Sequence, residues 1–184
     1  TFGKNFYLEA KEFRLKIHNP ADGVEAHINM TKRSYRQAYG HLSPKQLKSK
    51  SLDAYLNKVI SPLTKIGAES GLDGTLLVDA LDQNTGHRIG FAAYQKNHLT
   101  KDNETYLELI VVDPNYWRQG VGSRLTLSIL EFQPNIKSIK LQSRKSNKSA
   151  CSLYQKLGFS RDRTSIEWDS MRSDFVGFTL HRIP

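Results

Sequence analysis

A short glycine-containing stretch, YWRQGVGSRL at residues 116–125, has the residue types that bind phosphate groups. Gly120 and Gly122 are spaced G-x-G, Arg118 and Gln119 precede them, and an apolar pattern of helical spacing follows. Backbone N–H groups at a helix start lack partners and carry the positive end of the helix dipole, and glycine lets an anion approach them. The spacing is neither G-x-G-x-x-G nor G-x-x-x-x-G-K-[ST], which argues against Rossmann dinucleotide binding and P-loop hydrolysis. The stretch is therefore either a phosphate site or a plain strand-to-helix turn.

A second stretch with recognisable spacing is RKSNKSACSLYQKLGF, residues 144–159. Asn147 stands where a helix N-cap belongs, Tyr154 follows two turns later, and Gly158 is placed as a C-cap. These residues alone indicate a capped amphipathic helix with a core tyrosine. Cys151 has no obvious histidine partner and is interpreted as a small hydrophobic residue rather than a nucleophile.

Length and charge narrow the class of protein. A chain of 184 residues without a Gly/Ser/Pro-rich linker predicts one domain. Its 27 Lys and Arg against 18 Asp and Glu give a net charge of +9, which favours polyanionic partners: nucleic acid, anionic lipid or a ligand with several phosphates. The basic residues are scattered and no RNP, zinc-knuckle or helix-turn-helix pattern is present, so we expect no nucleic-acid partner.

We expect neither a membrane segment nor a metal site nor an internal disulfide. No run of about 18 apolar residues and no signal-peptide core is found, so we expect no membrane segment. The six histidines show no H-E-x-x-H or paired Cys/His spacing, so we expect no metal. The single cysteine excludes an internal disulfide and is compatible with a reducing compartment, and we expect a cytoplasmic protein.

Hydrophobic periodicity predicts a mixed α/β domain in the order β-α-α-β-β-β-α-β-α-β-β. Pro62 is expected to end or kink the second helix. The predicted strands are 12–20, two arms of a hairpin in 74–95, 105–114, 136–143, 164–170 and 175–183; the predicted helices are 22–39, 51–63, 121–132 and 147–157.

Together, the order strand, WRQGVGSRL, strand, NKSACSLYQKLGF resembles the acyl-CoA-binding core of the GNAT superfamily of N-acetyltransferases. That family is marked by Q/R-x-x-G-x-G/A and, further on, by N-x-x-A-x-x-L-Y-x-K-L-G-F. The second pattern is matched at Asn147, Ala150, Leu153, Tyr154, Lys156, Leu157, Gly158 and Phe159. The resemblance is specific over about 107–159. It implies one GNAT-like α/β (α+β) domain over 1–184, with its acyl-CoA-binding core at about 104–160. The implied fold is a single mixed, mostly antiparallel twisted sheet of six to seven strands flanked by about four helices.

The resemblance also implies an activity and a set of binding residues. It implies an enzyme that moves an acetyl group from acetyl-CoA, its co-substrate, to a primary amine of a small molecule or peptide by direct attack on the thioester. Pantetheine would pair with the strand at Ile110, Val111 and Val112 and contact Asn147, while Tyr154 would stand beside the sulfur. The pyrophosphate would be held by Arg118, Gln119, Gly120, Val121, Gly122 and Ser123.

Acetyl transfer needs a neutral amine, stabilisation of an oxyanion, and a proton for the departing thiolate. Tyr154 is the best candidate for the acid, since a phenol of reference pKa about 10 can donate to a thiolate. A backbone N–H around Val112 would serve the oxyanion. Glu108 lies where several relatives place a catalytic glutamate, but it is equally interpreted as an exposed strand carboxylate.

Two positions depart from the family pattern. Trp117 replaces the usual Gln or Arg three residues before Gly120, and is expected to pack on the sheet or to stack on the adenine. Gln142 stands where bacterial ribosomal-protein N-terminal acetyltransferases carry a glutamate base. These departures leave an alternative open, a degenerate acyl-CoA-binding module without turnover, although the presence of Tyr154 weighs against it.

The acceptor and the assembly are less well defined. The family builds its acceptor site mainly from regions that here span about 22–43 and 169–176, and neither carries a readable motif. The net charge disfavours highly cationic acceptors unless a local acidic pocket overrides it. A monomer or a homodimer is expected.

Overall fold

The computed structural model describes residues 12–68, 75–167 and 173–182. Its strands are β1 (Phe13–Ile17), β2 (Leu76–Asp82), β3 (Arg88–Gln95), β4 (Glu104–Val112), β5 (Ser138–Arg144), β6 (Ser160–Arg161) and β7 (Phe175–His181). Its helices are α1 (Glu25–Tyr39), α2 (Pro44–Leu47), α3 (Leu52–Ala68), α4 (Val121–Leu127), α5 (Ile129–Phe132) and α6 (Lys148–Lys156). None of the helices within these ranges is both long and apolar enough to span a lipid bilayer.

The strands form one seven-stranded sheet in the order β1-β2-β3-β4-β5-β7-β6. Strands β4 and β5 run parallel, and the other described pairs are antiparallel. This confirms the predicted fold class, a mixed and mostly antiparallel sheet with four main helices, α1, α3, α4 and α6, on its faces.

Both faces of the sheet are buried, and strand alternation divides the side chains between two cores. On β3, Phe91 and Ala93 join the core formed with α1 and α3, whereas Ala92 and Tyr94 join the core formed with α4, α5 and α6. The central strands therefore read as nearly continuous apolar runs.

Strands β4 and β5 are paired over only a short part of their length. Of the nine residues of β4, only Glu104, Thr105 and Tyr106 pair with β5. On its other edge β4 carries a β-bulge, because Tyr94 pairs with Leu107 and Ala93 with Leu109, which leaves Glu108 as the extra residue. A bulge bends its strand, so the bulge accounts for the separation. We call the resulting gap, between 107–112 of β4 and 141–144 of β5, the fork.

One predicted helix is divided in two. Residues 121–132 form α4 and α5, which meet at Ser128. The Ser128 hydroxyl donates to the carbonyl of Leu125 at 2.8 Å and also contacts the hydroxyl of Tyr94 at 3.2 Å. A serine hydroxyl that bonds a preceding backbone carbonyl bends or interrupts a helix, which the apolar periodicity did not indicate.

The prediction for 164–170 was wrong where the structure describes it. Thr164 and Ser165 lie in a short 3₁₀ turn, because Asp162 accepts hydrogen bonds from the Thr164 backbone N–H at 2.9 Å and from the Ser165 hydroxyl at 2.9 Å. Residues 166–167 have no regular structure, and 168–170 lie outside the described residues. The short strand β6 precedes this turn instead.

Pro62 does not end its helix, since α3 continues to Ala68. Pro62 has no backbone N–H, so α3 lacks one hydrogen bond there. Tertiary packing compensates for this loss, because Val59, Ile60 and Leu63 are buried against the sheet.

Candidate active site

The loop that joins β4 to α4 is fastened by its own side chains. Asp113 accepts a hydrogen bond from the backbone N–H of Asn115 at 3.0 Å and forms an ion pair with Arg33 of α1. The side-chain amide of Gln119 donates to the carbonyl of Asn115 at 3.0 Å. Gln119 thus stabilises the loop that it belongs to, and its binding role stays a prediction.

Backbone geometry in this loop prepares the start of α4 for an anion. Gly120 is the N-cap residue, with a left-handed φ of 81°, and it provides no side chain to cap the helix. Arg118 is exposed and also left-handed, with φ 64°, a conformation that strains a residue with a Cβ and that concentrates at functional positions. The first N–H groups of α4, from Val121 to Ser123, therefore have no side-chain cap and can hold a phosphate.

Trp117 connects this loop to the sheet. Its indole N–H donates to the carbonyl of Val112 at 2.8 Å, and the hydroxyl of Ser34 donates to the same oxygen at 3.1 Å. The side chain is not buried in the sheet, since 38% of the residue is exposed. An indole hydrogen bond to the end of β4 was not foreseen from the sequence.

The fork edge of β4 presents backbone groups of Ile110 and Val112. The N–H of Asp113 donates to the carbonyl of Ile89 on β3, at 2.8 Å. Because successive residues of a strand point their N–H groups to opposite edges, the N–H groups of Val112 and Ile110 point into the fork, whereas Val111 faces β3. An extended chain placed in the fork can therefore pair with Ile110 and Val112, but it cannot pair with Val111.

Asn147 begins α6 as predicted, and both ends of its amide are engaged. Its side-chain oxygen accepts from the backbone N–H of Ala150 at 3.1 Å, and its amide nitrogen donates to the hydroxyl of Tyr39 at 2.8 Å. Burial raises the pKa of Tyr39 to about 12. Asn147 therefore fixes α6 against α1, and its contact with pantetheine stays a prediction.

Tyr154 lies in the core below the fork. Its ring packs against Phe159 and Phe178 at centroid distances of 5.8 and 5.6 Å, and only 4% of the residue is exposed. Burial, reinforced by the neighbouring Tyr39, raises the pKa of Tyr154 well above that of a free phenol. The group is thus held in its protonated form, as a proton donor requires, and it is a weaker acid than the reference value indicated.

Glu108 is half-buried at the bulge of β4, not fully exposed. Its carboxylate accepts a hydrogen bond from the side-chain amide of Gln95 at 2.8 Å. A half-buried carboxylate beside the free edge of a strand is well placed to take a proton from a group that enters the fork.

Two further tyrosines of this region, Tyr106 and Tyr35, have raised pKa values. Burial raises the pKa of Tyr106, and the charges of Glu108, Glu167 and Tyr154 raise it further. Burial also raises the pKa of Tyr35, again with contributions from Tyr154 and Glu108.

Sequence reasoning missed Tyr35, Tyr39, Tyr106 and Glu167 as members of this site. For the first two a signal was present, because they are four residues apart on α1 and so share a helix face. The side-chain oxygen of Gln142, by contrast, accepts a hydrogen bond from the backbone N–H of Glu167 at 3.0 Å. A glutamine cannot serve as a base, as its residue type predicts.

A second cluster of polar residues lies apart from the fork. His18, His27 and Asp79 are buried, and their candidate ligand atoms lie within 4.8 Å of one another. Arg88, however, donates two hydrogen bonds to Asp79, at 2.9 and 3.0 Å. The cluster is thus a hydrogen-bonded ion pair that joins the segment after β1 to α1, β2 and β3, and the expected absence of a metal stays a prediction.

Comparisons with known proteins give one family and one fold. The sequence profile of the family described as Acetyltransferase (GNAT) family matches residues 35–159. The PaiA N-acetyltransferase from Thermoplasma acidophilum, in complex with coenzyme A, is similar with a TM-score of 0.69 and 18% identity, over 92% of this chain and 99% of that one. The ribosomal-protein-S18-alanine N-acetyltransferase from Escherichia coli gives 0.61 and 21%, over 94% and 96%. An aminoglycoside acetyltransferase in complex with coenzyme A and kanamycin gives 0.59 and 15%, over 93% and 95%.

Proposed function

Since the chain belongs to the Acetyltransferase (GNAT) family, we propose that it is an N-acetyltransferase that moves the acetyl group of acetyl-CoA to a primary amine of a small molecule or peptide. The observation that carries this proposal is the fork. At its wide end lies the uncapped start of α4, and the bulge at its narrow end carries the half-buried Glu108. Two of the proteins of similar fold contain coenzyme A, which agrees with this choice of co-substrate.

The fork gives coenzyme A a direction. The pyrophosphate is held at Arg118 and at the N–H groups from Gly120 to Ser123. The pantetheine arm then runs along β4 from Val112 towards Glu108, four residues or roughly 13 Å away. It pairs with the N–H of Val112 and the carbonyl of Ile110, since the carbonyl of Val112 already accepts from Trp117 and Ser34, while Val111 contributes by holding β4 on β3.

The chemical step follows from this placement. Glu108 takes a proton from the acceptor amine, whose lone pair attacks the thioester carbon and forms a tetrahedral oxyanion. The N–H of Ile110 stabilises this oxyanion, because Ile110 points into the fork two residues nearer to Glu108 than Val112 does. The C–S bond then breaks, and Tyr154 gives its proton to the leaving thiolate.

The remaining features of the proposal concern domain, assembly and location. The chain acts as one domain over 1–184, with its acyl-CoA-binding core at about 104–160. It works as a monomer or homodimer, without a metal, and its partners are acetyl-CoA and the amine rather than nucleic acid or membrane. The single cysteine supports a cytoplasmic location.

Two measurements test the proposal. Acetyl-CoA should raise the Tm of the protein, because a ligand that binds only the folded state stabilises it. Free thiol should then be released when acetyl-CoA is mixed with members of a panel of amino acids, diamines, aminoglycosides and peptides with free N-termini. A raised Tm without thiol release from any amine would indicate a binding module, and an unchanged Tm would overturn the proposal altogether.

A further inference from the structure

Glu167 carries a buried carboxylate oxygen that nothing in the described part of the chain satisfies. Its Oε2 atom is inaccessible to solvent and accepts no hydrogen bond from a described residue. The residue also forms no ion pair with a described Lys, Arg or His. A buried oxygen without a donor is unfavourable, and more so when it is charged, so a ligand that supplies a donor would stabilise it.

The backbone of Glu167 lies beside β5 at the fork. Tyr106 and Lys140 form the last pair between β4 and β5. Two residues further along the two strands stand Glu108 on β4 and Gln142 on β5. The side chain of Gln142 holds the backbone N–H of Glu167 at 3.0 Å, which fixes Glu167 on the β5 side of the gap while Glu108 occupies the β4 side.

Tyr106 connects β4 to the turn that leads into Glu167. Its hydroxyl donates to the carbonyl of Ser165, two residues before Glu167, at 2.8 Å. Both basic side chains of β5 that flank Gln142 are engaged elsewhere. Lys140 forms an ion pair with Glu104 at 3.0 Å and donates to the carbonyl of Leu99 at 2.7 Å. The buried Arg144 donates to the hydroxyl of Tyr55 at 3.1 Å and to the carbonyls of Gln46 and Leu47. Each side of the narrow end of the fork therefore carries one carboxylate residue, Glu108 or Glu167.

We infer that Glu167 pairs with a second positively charged group of the acceptor, so that the enzyme acetylates amines that carry another ammonium or guanidinium group. This inference rests on the proposed acetyl transfer and adds the chemical class of the acceptor to it. Glu108 serves the reacting amine, and Glu167 holds the charged tail. The local carboxylates thereby override the repulsion that a net charge of +9 exerts on a cation.

Three acceptors of one chain length test this inference. Pentylamine, 1,5-diaminopentane and 5-aminopentanoate offer the same primary amine with a neutral, a positive and a negative tail. We expect the kcat/KM of thiol release to rank the diamine first, about 10-fold or more above pentylamine, with aminopentanoate last, since hydrogen bonds to charged groups have that strength. Equal rates, or a preference for the neutral or negative tail, would overturn the inference even though acetyl transfer stands.

The Glu167→Gln variant identifies the residue responsible. It should raise the KM for diaminopentane about 10-fold and lower the ratio of kcat/KM for diaminopentane to kcat/KM for pentylamine by a similar factor, with acetyl-CoA affinity and Tm as checks on folding. Glu131→Gln on α5 is the control, because Glu131 is exposed and lies outside the site, and it should change neither value. An unchanged KM for diaminopentane in Glu167→Gln would refute the role of Glu167. If the parent protein neither binds acetyl-CoA nor releases thiol with any amine, the proposed function fails and the inference falls with it.

Discussion

The indole N–H of Trp117 and the carbonyl of Val112 form a 2.8 Å hydrogen bond that ties the loop before α4 to the end of β4. In the proposed complex a phosphate group at α4 and an extended arm on β4 are bound at once, so the relative position of loop and strand would determine affinity. Trp117→Phe keeps an aromatic ring but removes the donor. We expect acetyl-CoA binding to weaken by about 1 kcal/mol, roughly fivefold in Kd by calorimetry, with kcat at saturation unchanged. Undiminished affinity would mean that the loop holds its place without this bond.

Gly122 provides a test of the space beside α4. A Cβ added there would lie 3.5 Å from Leu153 of α6 and 3.8 Å from Val112, so Gly122→Ala should fold normally. The two further carbons of valine would extend into the space between α4, α6 and the end of β4, where the arm of coenzyme A is proposed to pass. Gly122→Val should therefore abolish binding of acetyl-CoA in calorimetry. A folded Gly122→Val protein with normal affinity would show that the G-x-G stretch is only a turn.

The cluster around Asp79 makes stability depend on pH. Burial lowers the pKa of His27 below the ordinary 6.5, even though Asp79 opposes this shift. The unfolded chain therefore binds more protons than the folded one below pH 6.5, and the free energy of unfolding should fall as pH decreases from 7 to 5. His27→Gln should flatten this dependence in denaturant titrations, whereas exposed His41→Gln should preserve it. A slope that survives in His27→Gln would assign it to another group.

A second acid transition should follow at lower pH. Burial opposes ionisation of Asp79, but its hydrogen bonds with His27 and Arg88 prevail and lower its pKa to about 2. The contribution of ionised Asp79 to the free energy of unfolding is fully present above the ordinary pKa range of carboxyl groups, and it is lost as pH falls towards 2. This loss therefore occurs at lower pH than the loss caused by His27.

Glu108→Gln separates a base from a positioning residue. Glutamine keeps the size and can still contact Gln95, but it cannot accept a proton. If Glu108 is the base, the loss in kcat should be largest near neutral pH and shrink at high pH, where the amine is already neutral. A loss of the same size at every pH would show instead that Glu108 only positions the acceptor.

Local patterns predicted the parts of this site that local interactions determine. The N-cap at Asn147 and the helix that carries Tyr154 depend on residues within a few positions of one another, and both are found as expected. The interruption at Ser128 is also local but arises from a side-chain hydrogen bond, which hydrophobic periodicity does not record.

Features that depend on distant partners could not be predicted in this way. The bulge at Glu108 exists only in the register between β3 and β4, and alternation along β4 alone does not reveal it. Glu167 reaches the fork through Gln142, which is 25 residues away in the chain. The approach of Tyr39 to Asn147 spans 108 residues. Such contacts follow from topology, so local sequence patterns do not reveal them.

The turnover number of Tyr154→Phe tests the central claim most directly. Phenylalanine preserves the packing against Phe159 and Phe178 but has no proton to give to the leaving thiolate. At saturating acetyl-CoA and amine, we predict a kcat about 10²–10⁴-fold below that of the parent, with acetyl-CoA affinity nearly unchanged. A Tyr154→Phe enzyme that is folded and fully active would contradict the claim that acetyl transfer occurs in the fork with Tyr154 as its acid.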